Sequence, residues 1–200
     1  TKDLHRNAIY TAIHRLVNDN DEVYLVVGCP ISVYTDKEKR EEYEDFIGRN
    51  KDITITVNGI TKTFRIANVQ TLPESSGYAF KHLDTVDEKL YAIVDIGGLN
   101  ANCSIYEGAV MQVNTEFTYN LGVNVLRIGL KKKLNQKFSC NLNDKQVEEA
   151  MKKRFIKINP EKSREVIDEF FLNHVNKLRE AMKENMWDIK NIDFVFTGGG

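Results

Sequence analysis

Proline and cysteine are scarce in this chain, three of each in 200 residues, and there is a single tryptophan. Cys29, Cys103 and Cys140 stand far apart and form no CxxC pair, which argues against a zinc site and against a disulfide framework. Cys29 and Cys103 lie in apolar, strand-like runs, where a thiol behaves as a small hydrophobe. The four histidines are scattered and form no HExxH pattern, so each reads as a surface or packing residue. Neither sign of charge dominates. Twenty-eight basic against 29 acidic residues leave a formal net charge of −1, without the basic surplus that direct nucleic-acid binding needs. No apolar run approaches the roughly 18 residues needed to span a bilayer, and no signal peptide opens the chain. The expectation is a reduced, cytoplasmic protein with no membrane contact. Walker A, GxGxxG, GxSxG and protein-kinase patterns are all missing, so P-loop chemistry is excluded.

What is present alternates between helical and strand periodicity. Leu4, Ala8, Ile9, Ala12, Ile13, Leu16 and Val17 recur at helical spacing, and the helix stops at Asn18–Asp21. Glu22–Gly28 reads as a buried strand with no earlier strand to pair with, which suggests a chain that begins part-way through a domain. Thr35 or Asp36 caps a charged helix over 37–47. Asn58-Gly59 between alternating strands signals a hairpin, and Pro73 is expected as the first residue of a helix to about His82. Residues 89–120 predict three strands, the third over 110–119. Helices follow over 123–134, 144–154 and 160–185, with a last strand over 192–196. The lysines at 131, 132, 133 and 137 read as a solvated helix face. This order predicts an α/β fold, mixed sheets flanked by helices. Three glycines directly after a buried strand are odd for a natural terminus, so the chain is expected to be truncated at both ends.

Three segments could carry chemistry. In Ile93-Val94-Asp95-Ile96-Gly97-Gly98-Leu99-Asn100 an acidic residue closes a strand and two glycines turn the chain, letting N–H groups converge on an anion. An aspartate beside bound phosphate needs a cation between them, so Asp95 is a candidate for holding Mg²⁺, through water. The same residues also fit a tight hairpin turn with a stray carboxylate. In Leu72-Pro73-Glu74-Ser75, Glu74 falls in a first helical turn, where the dipole favours its ionised form. There it can orient an attacking water, or simply stabilise the helix. Finally, Thr197-Gly198-Gly199-Gly200 ends a strand, allowing close approach to a ligand or forming an ordinary turn.

Together the three segments occur in the order of the actin, heat-shock ATPase and sugar-kinase superfamily. Leu72-Pro73-Glu74-Ser75, Ile93-Val94-Asp95-Ile96-Gly97-Gly98, Asn120-Leu121-Gly122-Val123-Asn124, Val195-Phe196-Thr197-Gly198-Gly199-Gly200 and the strand ending Val26-Val27-Gly28-Cys29-Pro30 resemble the ParM-type bacterial segregation actins over nearly the whole chain. The resemblance implies an actin-like, ribonuclease H-like fold. Residues 1–84 would be part of domain I, with a small variable subdomain over 35–70, and 85–200 would belong to domain II. It implies ATP or GTP with Mg²⁺ near Asp95 and a second phosphate loop of Gly97, Gly98, Leu99 and Asn100. Glu74 would position water, and Gly122, Gly198, Gly199 and Gly200 would lie on the base and ribose side. Glu149 and Lys152 are further polar candidates. Family members polymerise into filaments that move plasmid DNA through an adaptor protein.

The chain departs from the family in two respects. Leu99, Asn100, Ala101 and Asn102 stand where hydroxyl residues and a later aspartate are often found, and the family's first phosphate loop has no counterpart. The chain alone is therefore expected to hydrolyse little nucleotide, unlike its parent. A sugar kinase-like phosphotransferase and a non-enzymatic interaction module of the same fold are the competing expectations.

Overall fold

The computed structural model describes residues 2–82 and 89–198. The chain divides into two compact units, Thr1–Ser76 and Gly77–Gly200. The domain boundary expected between residues 84 and 85 lies outside the described residues.

The first unit runs α1 (Lys2–Leu16), β1 (Asp21–Cys29), α2 (Ile31–Tyr34), α3 (Lys37–Ile47), β2 (Lys51–Val57), β3 (Ile60–Pro73) and a 3₁₀ turn, Glu74–Ser76. The hairpin forms where Asn58-Gly59 requires it. Both residues have positive φ, 52° and 82°, which suits the right-handed twist of the flanking strands. Hydroxyl pairs Thr54–Thr63 (3.0 Å) and Thr56–Thr61 (2.8 Å) tie the strands together. Asp36 caps α3, accepting from the Lys39 N–H at 3.1 Å. At the other end of α1, the Lys62 ammonium donates to the carbonyls of His14 (3.0 Å) and Val17 (2.6 Å). A cation there satisfies orphan carbonyls and complements the helix dipole.

Two expectations for this unit need correcting. The partner of β1 comes later in the chain, not earlier. It pairs in parallel with β3, from Asp21↔Phe64 to Cys29↔Pro73, in a sheet ordered β1-β3-β2. Only one face of β1 is buried: Val27 joins a core with Ile13, Ile47, Phe64, Ile66 and Val69 and Cys29 is fully buried, while Tyr24 and Val26 are exposed. Pro73 closes β3 rather than opening a helix. Thr71, Leu72 and Pro73 remain paired to Val27, Gly28 and Cys29, so helical geometry begins only at Glu74.

The second unit contains α4 (Gly77–Lys81), β4 (Leu90–Ile96), β5 (Ala101–Glu107), β6 (Val110–Met111), β7 (Phe117–Tyr119), α5 (Val123–Phe138), α6 (Asp144–Lys153), α7 (Pro160–Glu184) and β8 (Asp193–Thr197). Its sheet is ordered β6-β5-β4-β8, with β7 also on β5. The single strand expected over 110–119 is two short ones. Asn114 turns the chain at φ 66°, and the Thr115 hydroxyl donates to Gln112 O (2.6 Å) while accepting from the Ile105 N–H (3.2 Å). That side chain replaces ladder bonds which a continuous strand would have made.

One face of this sheet, through Ala92, Val94, Ala101 and Cys103, packs against Leu178 and Met182 of α7 and against Trp187. Helices α5, α6 and α7 share a second core around Leu130, Leu134, Val147 and Ile167. A capping box between Asn143 and Gln146 starts α6, and Asn159 with Pro160 starts α7. The lysine cluster is the solvated face expected. Lys131 pairs with Asp144 (2.8 Å) and Lys133 with Glu169 (3.4 Å), while Lys132 and Lys137 are exposed.

Candidate functional site

Each unit contains one pair of adjacent parallel strands, and the candidate residues sit at their carboxyl ends. This is where open α/β sheets place ligands, because the chain leaves the sheet there and exposes backbone groups. In the second unit β4 and β8 run in parallel with Asp95 opposite Thr197. The Thr197 hydroxyl donates to Asp95 Oδ1 at 3.2 Å. Beyond that pair, Gly97 and Gly198 turn away from the sheet.

The turn after β4 is built from backbone. The Gly97 N–H closes it on Asn100 O at 2.8 Å. The first N–H groups of α5 then dock on it: Val123 N–H donates to Gly97 O (3.0 Å) and Asn124 N–H to Gly98 O (2.8 Å). Helix α5 has no side-chain cap, since Gly122 at the N-cap offers none. Its first N–H groups, through Asn124, are satisfied by the turn itself. Close approach explains the glycine at 122, because a Cβ there would lie 2.5 Å from Gly97 O and 2.6 Å from Asn100 N. At Gly198, φ is +107° and a Cβ would lie 2.3 Å from Ile96 O and 2.8 Å from Asp95 Oδ1.

The structure therefore brings together Asp95, Gly97, Gly98, Leu99, Asn100, Gly122 and Gly198, with Asn124 and Thr197 added. Gly98 and Leu99 are exposed. The N–H groups of Gly98, Leu99 and Asn100 make no hydrogen bond among the described residues, so three donors stand at the rim beside a half-buried carboxylate. Gly97 differs, since its N–H is already used within the turn. Sequence reasoning placed Asn124 and Thr197 within its motifs but gave neither a role of its own. The signal for Thr197 was a β-branched hydroxyl residue closing a strand directly before glycines. Gly199 and Gly200 lie outside the described residues.

Among the described residues no group of three or more His, Cys, Asp or Glu side chains could hold a metal ion. Asp95 alone suits a cation that keeps most of its own waters or takes ligand phosphate oxygens, as Mg²⁺ does. Behind the site, burial and then the Asp95 charge push the Cys103 thiol up to about 12, so this cysteine is inert packing.

Glu74 occupies the corresponding edge of the first unit. Gly28 pairs with Leu72, and a Cβ on Gly28 would stand 3.5 Å from Glu74 Cγ. Glu74 is exposed, and its carboxylate has no hydrogen bond or ion pair among the described residues. The segment that carries it is anchored three residues earlier. Buried Thr71 donates to Glu44 Oε1 from its hydroxyl (2.8 Å) and its N–H (3.3 Å), and Arg49 holds Glu44 Oε2 at 2.8 Å. Glu149 and Lys152 lie exposed on α6, where Glu149 pairs with Lys153 at 3.6 Å.

A groove of about 890 Å³ opens between α5 and α7, lined by Val125, Gly129, Phe170, His174 and Glu180 among others. Burial, and then the neighbouring Lys177 charge, lower the His174 pKa. The unfolded chain therefore takes up this proton first as the pH falls through the ordinary value of about 6.5. Stability from neutral His174 is complete above that value and is lost as the pH falls toward the folded-state pKa. His174→Gln should flatten the fall in melting temperature between about pH 7.5 and 5; an unaltered slope would assign the effect to other groups.

Comparison with known proteins agrees with this architecture. Residues 1–77 match the family model of the N-terminal domain of actin-like proteins. No curated protein sequence gives a significant match. Among solved structures, an archaeal actin homologue superposes with a TM-score of 0.75 at 18% identity, covering 97% of this chain and 63% of that one. The same homologue is also solved in complex with ADP. The Alp12 filament structure gives 0.67 at 28% identity, covering 100% and 64%. A 15-stranded ParM filament from Clostridium botulinum gives 0.62 at 14%, covering 98% and 62%. The chain thus spans a little under two thirds of the length of these structures.

Residues 1–77 thus match the actin-like N-terminal domain, and the chain as a whole shares the fold of the archaeal actin homologue, Alp12 and ParM structures.

Proposed function

We propose that the protein carrying this chain is an actin-like ATPase that binds ATP or GTP with Mg²⁺ and polymerises into filaments. On this reading the filaments act in the cytoplasm in plasmid DNA segregation, through an adaptor protein. The observation that carries the proposal is the carboxyl end of the β4–β8 pair. There three N–H groups with no hydrogen bond among the described residues, at Gly98, Leu99 and Asn100, adjoin one half-buried carboxylate, Asp95. Converging backbone donors favour phosphate oxygens, and a carboxylate beside phosphate favours a divalent cation. Support for the nucleotide comes from the ADP complex of the archaeal homologue, and for self-association from the Alp12 and ParM filaments.

Residues 85–200 would then supply the second phosphate loop, with Gly122 and Gly198 to Gly200 on the nucleoside side. Residues 1–84 would supply Glu74, with 35–70 as the variable subdomain. Bound Mg²⁺ neutralises charge on the phosphate oxygens. Asp95 would hold it through water, and the N–H groups would orient the phosphates. Glu74, an exposed carboxylate at a strand end, aligns the attacking water and accepts its proton.

Light scattering of the protein at its natural full length tests this. Scattering should rise on adding ATP or GTP with Mg²⁺ and decay as phosphate is released. Tight nucleotide binding without polymer or turnover would instead indicate a non-enzymatic module of this fold, and no binding of either nucleotide would defeat the proposal.

A further inference from the structure

We infer that Thr197 is a positioning residue for Asp95: its hydroxyl fixes the carboxylate so that one oxygen is held by the protein and the other is free for a hydrated divalent cation. The inference rests on the nucleotide and Mg²⁺ assignment proposed above.

A strand-end aspartate with one free face has several rotamers of similar energy. A cation held through water needs one of them, because its hydration shell has fixed octahedral directions. In this chain the choice is made by β8. Parallel pairing sets Thr197 directly opposite Asp95, and its hydroxyl reaches Oδ1 at 3.2 Å across a separation of 102 positions. Threonine is β-branched, so its χ1 is stiff and the hydroxyl cannot swing away freely. Oδ1 is confined on a second side by Gly198, where any Cβ would come within 2.8 Å of it. With Oδ1 engaged, Oδ2 is the oxygen left to accept from a cation-bound water. The relation is that of an outer partner orienting a ligand, and loss of such a partner typically weakens metal binding 10- to 100-fold.

The test is Mg²⁺-dependent binding of a fluorescent ATP analogue to the protein at full length, titrated with Mg²⁺ and repeated in EDTA. Thr197→Val keeps the shape and removes the donor. It should raise the Mg²⁺ concentration for half-maximal binding by about tenfold, with affinity in EDTA changed by less than about twofold. Thr197→Ser restores the hydroxyl and should return the titration toward wild type. If Thr197→Val titrates like wild type, or weakens binding equally with and without Mg²⁺, the inference is wrong. In the second case the side chain shapes the loop without aiming the carboxylate. Asp95→Asn in the same assay separates the two levels: if wild type and Asp95→Asn show the same Mg²⁺ dependence, the Mg²⁺ assignment itself fails.

Discussion

Replacing Gly198 with alanine should destabilise the second unit by about 2–4 kcal/mol, a fall in melting temperature on the order of 10 °C. Two costs combine. The backbone sits at φ +107°, which a residue with a Cβ rarely adopts, and the added carbon would lie 2.3 Å from the Ile96 carbonyl oxygen and 2.8 Å from Ile96 C. These are backbone atoms of β4, so the strand itself has to move. Gly122→Ala separates the contributions. Its φ is −82°, so only the clash with the 97–100 turn is imposed, and that clash is severe at 2.5 Å from Gly97 O. Gly77→Ala is the control, with nothing within 4 Å of the added carbon and no positive φ. It should move stability by less than about 1 kcal/mol. Thermal unfolding of the three variants decides the matter. A Gly198→Ala protein as stable as Gly77→Ala would mean that the approach of β8 to β4 is looser than described here.

Glu74→Gln should lower the rate of phosphate release by about 10²- to 10⁴-fold, the range for loss of a general base, while nucleotide affinity stays within about threefold. The substitution preserves shape, and the Glu74 carboxylate has no hydrogen bond or ion pair among the described residues, so the fold loses nothing when the charge goes. Filaments should still form on adding nucleotide but persist, because disassembly would follow hydrolysis. Phosphate release per mole, read beside equilibrium binding, distinguishes the outcomes. Parallel loss of both would assign Glu74 to binding or to helix stability, and undiminished release would remove it from the chemistry.

Local interactions were legible in the sequence and distant pairings were not. Asn58-Gly59, the Asp36 cap and the Pro160 helix start each depend on residues a few positions apart, and all formed as their chemistry dictates. The Asp95-to-Asn100 turn was legible for the same reason. Periodicity could not reveal that β1 pairs in parallel with β3, or β4 with β8, because parallel partners are joined by long crossovers that leave no local mark. That is why Pro73 was expected to open a helix: its pairing with Cys29 is invisible from its neighbours. The pairing of Thr197 with Asp95 was hidden on the same grounds. Gly122 was noticed for a ligand-lining role, whereas its packing against Gly97 and Asn100 is a close approach that only coordinates reveal.

The parallel pairing of β8 with β4 also fixes a timetable. Asp95 and its hydroxyl partner are 102 positions apart, and chains are synthesised at about 5–20 residues per second. The aspartate therefore leaves the ribosome roughly 5 to 20 seconds before the strand that holds it. Throughout that interval one edge of β4 is uncovered and the site has no fixed carboxylate. On the proposed reading, nucleotide capture would be deferred until β8 has emerged and docked. If the protein polymerises as proposed, a nascent chain stalled short of this strand would not join its finished neighbours.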